Sequence, residues 1–123
     1  MDAGIPELPG FDKAAALKLL NNNERLYGII LKKFHGQYAG GYEALADTLL
    51  NGDDWATIQR EAHTIKGLAG TIGHPGLQQA ALALELSAKD PDNIVPENIR
   101  TKAKEFLEIF SVVLCQLGSV FAV

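Results

Sequence analysis

A histidine at position 63 is followed by a lysine and two glycines at intervals that an α-helix brings onto one face. His63 precedes Lys66 by three residues, Gly67 by four and Gly70 by seven, and positions at these intervals are neighbours on a helix. The group combines a nucleophile, a cation and two positions without a side chain. A glycine in a helix interior costs about 1 kcal/mol relative to alanine. Two glycines on one face therefore predict that another molecule approaches this backbone closely.

The composition indicates a single domain with an apolar core. The chain has 123 residues, of which 47 % are hydrophobic, and its formal net charge is −4. This charge, with no basic run longer than Lys32-Lys33, argues against a nucleic-acid-binding protein. The single Cys115 excludes an internal disulfide framework and a cysteine-based zinc site. Because Cys115 lies in an apolar C-terminal run, it is expected in the core.

Membrane insertion and secretion are not expected from the sequence. The N-terminus has neither a basic start nor a long apolar stretch, so it does not resemble a signal peptide. The chain also contains no run of about 20 apolar residues that could span a bilayer. We therefore expect a cytoplasmic domain.

Apolar residues recur at helical spacing along most of the chain. The predicted helices span 13–20, 24–50, 54–72, 75–89 and 96–118, after an extended segment over 1–11. Asp12 and Asp53 are the expected N-caps of the first and third helices, Gly73 is expected to end the third, and Gly118 the last. Pro75 suits the first turn of the fourth helix. The pattern of 24–50 continues in phase through the glycines at 40–41, which favours one long helix; a break at these glycines is the alternative.

These helices, without any alternating strand pattern of useful length, predict an all-α fold. The expected architecture is an antiparallel up-down-up-down four-helix bundle with a short additional N-terminal helix, forming one domain over 1–123. On a helical wheel, His63 lies about 130° from the centre of its helix's apolar seam and therefore points outward. An ordinary solvated histidine is one interpretation. A solvated face, however, would carry Glu, Lys or Gln where Gly67 and Gly70 stand.

The segment His63-Thr64-Ile65-Lys66-Gly67, followed by Ala69-Gly70 and Ile72-Gly73, resembles the signature of histidine phosphotransfer (HPt) domains. These domains carry phosphoryl groups in multistep phosphorelays. The stretches 8–12 and 24–27 are similar to the start of HPt domains at the C-terminal end of bacterial hybrid sensor kinases. The resemblance extends over residues 8–118, and the fold that it implies is a four-helix bundle.

The resemblance also implies roles for individual residues. His63 would be the phosphorylated residue, Lys66 would neutralise phosphoryl charge, and Gly67 would leave room for the incoming partner. Glu85, which follows the histidine by 22 residues, occupies the family position that hydrogen-bonds the imidazole ring. A solvated face residue is the other interpretation of Glu85.

The surface around His63 is expected to contact the partner. Arg60, Gly67 and Gly70 are the residues that we assign to this contact, and the partner-facing apolar surface is expected on the exposed sides of the second and third predicted helices. Leu68 departs from the family, which usually has Ala or Ser there. The wheel places Leu68 on the flank away from His63, so it is expected to pack toward a neighbouring helix.

The function that the resemblance implies is that of a phosphocarrier. His63 would accept and donate a phosphoryl group from and to aspartates in receiver domains of response regulators or hybrid kinases. The receiver would supply Mg²⁺, so no cofactor is expected in this chain. No autonomous catalysis is expected either, because the sequence contains no ATP-binding motif. We expect a monomer.

Two other functions remain open at this point. In a helical interaction module without chemistry, the stripe of small residues would be a docking groove and His63 would be incidental. A metal-binding bundle would use His35, His63 and His74, but the sequence has no Glu-x-x-His pair, and His63 points outward. His35 is expected on the flank of its helix, and His74 in the turn between two helices.

Overall fold

A computed structural model describes residues 5–121 of the chain. Within that range the chain forms six α-helices and one 3-10 turn, with no strand. The elements are α1 (Lys13–Leu19), α2 (Glu24–Tyr38), α3 (Tyr42–Asn51), α4 (Trp55–Ile72), α5 (Pro75–Ser87), a 3-10 turn (Pro91–Asn93) and α6 (Pro96–Phe121). The predicted all-α class is confirmed. The first four residues of the predicted extended segment lie outside the described residues.

Local capping explains where the helices begin and end. Asp12 caps α1 by accepting a hydrogen bond from the Ala15 amide at 3.0 Å, as predicted. The N-cap of α4 is Asp54, which accepts from the Thr57 amide at 3.1 Å, so the assignment to Asp53 was wrong by one residue. Gly73 ends α4 in the left-handed region, at φ 76° and ψ 45°, a conformation that favours glycine.

The favoured prediction of one long helix over 24–50 is wrong, because the chain breaks at Gly40-Gly41. Helix α2 ends at Tyr38 and α3 begins at Tyr42. Gly41 takes the non-helical N-cap conformation of φ −106° and ψ 10°. Two adjacent glycines weaken a helix by about 1 kcal/mol each. An apolar pattern that stays in phase does not distinguish one helix from two consecutive ones.

The apolar stripe that predicts this helix begins with Leu26, Ile30, Phe34 and Tyr38. At its N-terminal end, the buried face of α2 differs from that stripe by one residue. Tyr27 and Leu31 are buried, whereas Leu26, which the stripe included, is 38 % exposed. The Tyr27 hydroxyl donates a 2.8 Å hydrogen bond to the Ile72 carbonyl. This bond ties the start of α2 to the end of α4.

Helix α6 continues past its predicted end at Gly118 and reaches Phe121. A Cβ at Gly118 would lie 3.2 Å from His35 Nε2, so the glycine permits a close approach between α6 and α2. His35 is half-buried there, on the flank of its helix as expected. Cys115 is exposed, so its assignment to the core was wrong. The 3.6-residue repeat places it beside, and not within, the buried stripe of α6.

The core lies where α2, α4, α5 and α6 face one another. The apolar residues whose spacing predicts α4, α5 and α6 are buried except at Trp55, which is half-buried. These residues are Trp55, Ile58, Ala62, Ile65, Ala69 and Ile72, then Leu77, Ala81, Leu84 and Ala88, then Ile99, Ala103, Phe106, Phe110, Val113 and Leu117. Phe110 lies among four aromatic rings whose centroids are 5.1 to 6.1 Å away. Among residues 5–121, every helix is too short or too polar to span a lipid bilayer.

Candidate functional site

His63 projects into solvent from the middle of α4. Its side chain is 62 % exposed, whereas Ala62 and Ile65 on the opposite side of the helix are buried in the core. The outward orientation expected from the helical wheel is therefore present. The packed face of α4 gives the imidazole a rigid base.

The ring of His63 contacts a buried carboxylate on the neighbouring helix. Glu85 Oε2 lies 2.8 Å from His63 Nδ1, and the Glu85 side chain is only 7 % exposed. The interpretation of Glu85 as a solvated face residue is therefore wrong. The contact that the resemblance implies between these two side chains is present in the structure.

Two further side chains of α4 bind the same carboxylate. Lys66 Nζ lies 2.7 Å from Glu85 Oε1, and Gln59 Nε2 donates to Oε2 at 3.3 Å. Gln59, His63 and Lys66 follow one another at intervals of four and three residues, which places them on the side of α4 that faces α5. The sequence interpretation did not include Gln59. Its position four residues before His63 was the signal that could have identified it.

The charge of Glu85 follows from these contacts. Burial by itself raises the pKa of the Glu85 carboxyl, but the hydrogen bonds from Lys66 and His63 outweigh burial and hold its pKa below the ordinary value. Glu85 is thus ionised at neutral pH and can only accept hydrogen bonds. It follows that His63 Nδ1 carries the proton in the neutral ring. The Nε2 lone pair is then free and faces away from Glu85.

The two glycines of the motif have different surroundings. No atom of residues 5–121, outside the adjacent helix backbone, lies within 4 Å of the position that a Cβ of Gly67 would take. Gly67 therefore leaves open space beside His63. A Cβ at Gly70 would lie 2.7 Å from the Gln78 side-chain amide, but Gln78 is exposed and its side chain can move aside, so packing against α5 does not by itself require a glycine there. Contact of Gly70 with a partner stays a prediction.

The other flank of α4 carries Arg60 and borders two open grooves. Arg60 is exposed and donates to the Thr57 hydroxyl at 3.3 Å. A groove of about 510 Å³ separates α4 from α3 beside Arg60 and Thr64. A second groove, of about 330 Å³, lies between α4 and α2. Leu68 lines it and packs against the core, so its expected packing toward a neighbouring helix is confirmed.

The other two histidines lie in different surroundings from His63. His74 is buried and is the N-cap of α5, where its Nδ1 accepts from the Leu77 amide at 2.9 Å. Its ring packs edge-on against Phe11, whereas His35 lies close to Gly118 on α6. Over residues 5–121, no group of three or more His, Cys, Asp or Glu side chains could hold a metal ion. The metal-binding alternative therefore has no support from the described part of the chain.

Comparison with known proteins gives one family match. The family described as Hpt domain matches residues 39–108, more than half of the chain, and the matched region contains His63, Lys66 and Glu85. No curated protein and no solved structure gives a significant match. The matched region runs from the α2–α3 link to the middle of α6 and so contains all of α4 and α5. With this match and an all-helical fold, the chain belongs to the Hpt domain family, the phosphocarriers of phosphorelays.

Proposed function

We propose that this domain accepts a phosphoryl group on His63 Nε2 from the phosphorylated aspartate of a receiver domain, and donates it to another. The receivers would belong to response regulators or hybrid kinases. The observation that supports this function best is an exposed imidazole whose Nδ1 contacts a buried carboxylate at 2.8 Å. That contact leaves Nε2 as a nucleophile directed toward solvent.

The transfer requires one bond to form and one to break. The Nε2 lone pair attacks phosphorus in line, and the bond from phosphorus to the aspartate oxygen breaks, with its electron pair returning to the aspartate carboxylate. Donation of the phosphoryl group from His63 to the aspartate of another receiver is the reverse reaction. Since such transfers depend mostly on positioning and on charge neutralisation, a rigidly held imidazole is the main contribution of this chain. The receiver would bring Mg²⁺ and the carboxylates that bind it.

Glu85 and Lys66 have complementary roles in this proposal. The ring becomes cationic when Nε2 is phosphorylated and Nδ1 keeps its proton, and the Glu85 carboxylate at 2.8 Å stabilises that cation. The Lys66 ammonium balances the negative charge of the phosphoryl group, as cations do in phosphoryl transfer. Because Lys66 also pairs with Glu85 at 2.7 Å, one carboxylate orients both groups.

The receiver would dock over the outward face of α4. Gly67 leaves open space next to His63, and Gly70 keeps the same face free of a side chain further along. Arg60 offers an exposed cation to the acidic residues around a phosphorylated aspartate. The grooves between α4 and the α2–α3 pair could receive apolar side chains of the partner.

The test is phosphoryl transfer from a labelled receiver. The wild-type domain should take up label from a phosphorylated receiver and take up none from ATP alone. His63→Gln should abolish uptake while the helical circular dichroism stays unchanged, because the side chain is exposed. His35→Gln is the matched control and should transfer normally. Label on the His63→Gln variant would show that another residue accepts the phosphoryl group.

The same experiment separates a phosphocarrier from a purely binding module. A module without chemistry would bind receivers with the same affinity before and after His63→Gln, and the wild-type domain would take up no label. Titration calorimetry with the receiver, beside the transfer assay, measures both quantities.

A further inference from the structure

Gln59 contacts the phosphoryl-transfer site but has no role in the chemistry described above. Its side-chain amide donates to Glu85 Oε2 at 3.3 Å, the same oxygen that lies 2.8 Å from His63 Nδ1. Lys66 binds the other oxygen at 2.7 Å. The three donors of α4 thus divide between the two oxygens of one carboxylate.

We infer that Gln59 is a positioning residue, whose amide orients the Glu85 carboxylate so that His63 keeps its proton on Nδ1. This inference rests on the proposed function, since the proton position matters only if Nε2 is the nucleophile. Gln59 lies one helical turn before His63. Its amide and the imidazole therefore approach Oε2 side by side from the same helix.

The physical reason is the freedom of the last torsion of a glutamate. Rotation of the carboxylate about this bond is broad and weakly restrained. Lys66 is a flexible cation that attracts the whole carboxylate, and without Gln59 only the ring of His63 would hold Oε2 in place. A second donor on Oε2 fixes the carboxylate plane. A carboxylate oxygen has lone pairs for both donors.

The consequence concerns the tautomer of the neutral imidazole. A neutral ring carries its proton on one nitrogen only, and the partner of the other nitrogen decides which. If Oε2 moves away from Nδ1, rings with the proton on Nε2 become more frequent. Such rings cannot attack phosphorus through Nε2, because that nitrogen carries the proton and has no free lone pair. Gln59 therefore acts on the reactive fraction of His63 through Glu85.

A structural role alone would not require an amide at position 59. Gln59 is half-buried, and within residues 5–121 its side chain makes one hydrogen bond, the one to Glu85. An apolar side chain of similar length should therefore be accommodated. This makes Gln59→Leu a suitable variant, with Gln79→Leu on the exposed side of α5 as its matched control.

The first readout is the tautomer of His63, which needs no partner protein. Nitrogen-15 chemical shifts of the ring at about pH 8.5, above the ordinary pKa of histidine, report which nitrogen carries the proton. Gln59→Leu should raise the fraction with the proton on Nε2, and Gln79→Leu should leave it unchanged. Gln59→Met, an unbranched apolar variant, should raise that fraction by a similar amount, because it also lacks the donor to Oε2.

The second readout is the rate of uptake from a phosphorylated receiver. A net hydrogen-bond contribution of ordinary size predicts that Gln59→Leu slows transfer about two- to tenfold. An unchanged tautomer in folded Gln59→Leu would overturn the inference, even if the rate fell. Should Gln59→Leu not fold, an unchanged tautomer in Gln59→Met would overturn it equally. Absence of uptake by the wild-type domain would instead refute the proposed function, and the tautomer readout would still stand.

Discussion

At the residue scale, the decisive feature is a carboxylate that is buried and still charged. Burial disfavours the ionised form of Glu85, but Lys66 and His63 on one face of α4 favour it more strongly and hold its pKa below the ordinary value. The buried Glu85 carboxylate in turn orients the side chains of α4 that contact it. The exposed His63 ring is thus positioned by Glu85, a residue that is itself buried.

The role of Glu85 can be measured by removing its carboxylate. Glu85→Ala should slow phosphoryl uptake by about tenfold or more, since a hydrogen bond to a charged group contributes roughly 1.5–3 kcal/mol. Glu85→Gln keeps an acceptor oxygen and should retain part of the rate. Uptake at the wild-type rate in Glu85→Ala would show that the contact plays no part in transfer.

His74 predicts a pH dependence of stability that is unrelated to transfer. Burial lowers the pKa of His74 below its ordinary value of 6.5, and its unprotonated Nδ1 caps α5. As the pH falls below about 6.5, the unfolded chain binds the proton before the folded chain does. The free energy of unfolding should therefore decrease between that pH and the lower pKa of the folded state.

The measurement is the melting temperature at about pH 7.5 and about pH 5.5, on either side of the ordinary histidine pKa. His74→Asn retains a side chain that can cap a helix but does not titrate, so it should show a smaller loss of melting temperature than the wild type. His35→Asn is the control and should keep the wild-type difference, because it leaves His74 in place. Equal losses in wild type and His74→Asn would contradict this assignment.

At the element scale, the turn between α4 and α5 sets the register of the site. Gly73 ends α4, His74 caps α5 and Pro75 begins it. After this very short turn, α5 packs antiparallel to α4. His63 and Glu85 each lie 11 residues from His74 along the chain. When two antiparallel helices are joined by so short a turn, positions equally far from the turn lie side by side. This explains the contact between His63 and Glu85.

Gly73 should be intolerant of a side chain for this reason. A Cβ there would lie 2.7 Å from the Asp12 carbonyl oxygen and 2.9 Å from the Ala16 Cβ, in a backbone conformation that already disfavours L-residues by roughly 1–2 kcal/mol. Gly73→Ala should therefore lower the free energy of unfolding by more than about 1 kcal/mol. Urea denaturation measures the change.

Gly36→Ala is the matched comparison in the interior of α2. No described atom beyond the neighbouring helix backbone lies within 4 Å of its Cβ position, so alanine should stabilise the domain by up to about 1 kcal/mol. A Gly73→Ala variant as stable as the wild type would show that the α4–α5 turn can rearrange without cost.

At the scale of the whole molecule, one aromatic cluster connects α2, α3 and α6. Phe110 is completely buried and contacts the rings of Phe34, Tyr38, Tyr42 and Phe106. The cluster lies at the break between α2 and α3. It therefore holds both short helices against α6, although they are no longer one continuous helix.

Truncation of Phe110 should have a large effect on stability. Phe110→Ala is expected to lower the free energy of unfolding by about 3–5 kcal/mol, through lost apolar contact and a residual cavity. Val112→Ala, on the exposed side of the same helix, should change it by about 0.5 kcal/mol or less. Similar losses in both variants, measured by urea denaturation, would argue against a core centred on Phe110.

The sequence by itself determined the helical fold class, most of the helix ends and the outward orientation of His63. These features depend on local rules: a 3.6-residue apolar repeat, capping side chains, and prolines or glycines at helix ends. Lys66 and Gly67 could be identified for the same reason, because their spacing from His63 on one helix fixes their relative positions.

Only the tertiary structure decided the break at Gly40-Gly41, the exposure of Cys115, the burial of Glu85 and the contact of Gln59. In each case the local pattern allowed two outcomes. Cys115, Glu85 and Gln59 lie beside the apolar stripe of a helix, where the packing of a neighbouring helix decides whether a side chain is covered. Glu85 is covered by the packing of α4 against α5, and side chains of α4 contact its carboxylate there; contacts from another helix cannot be read from the periodicity of α5.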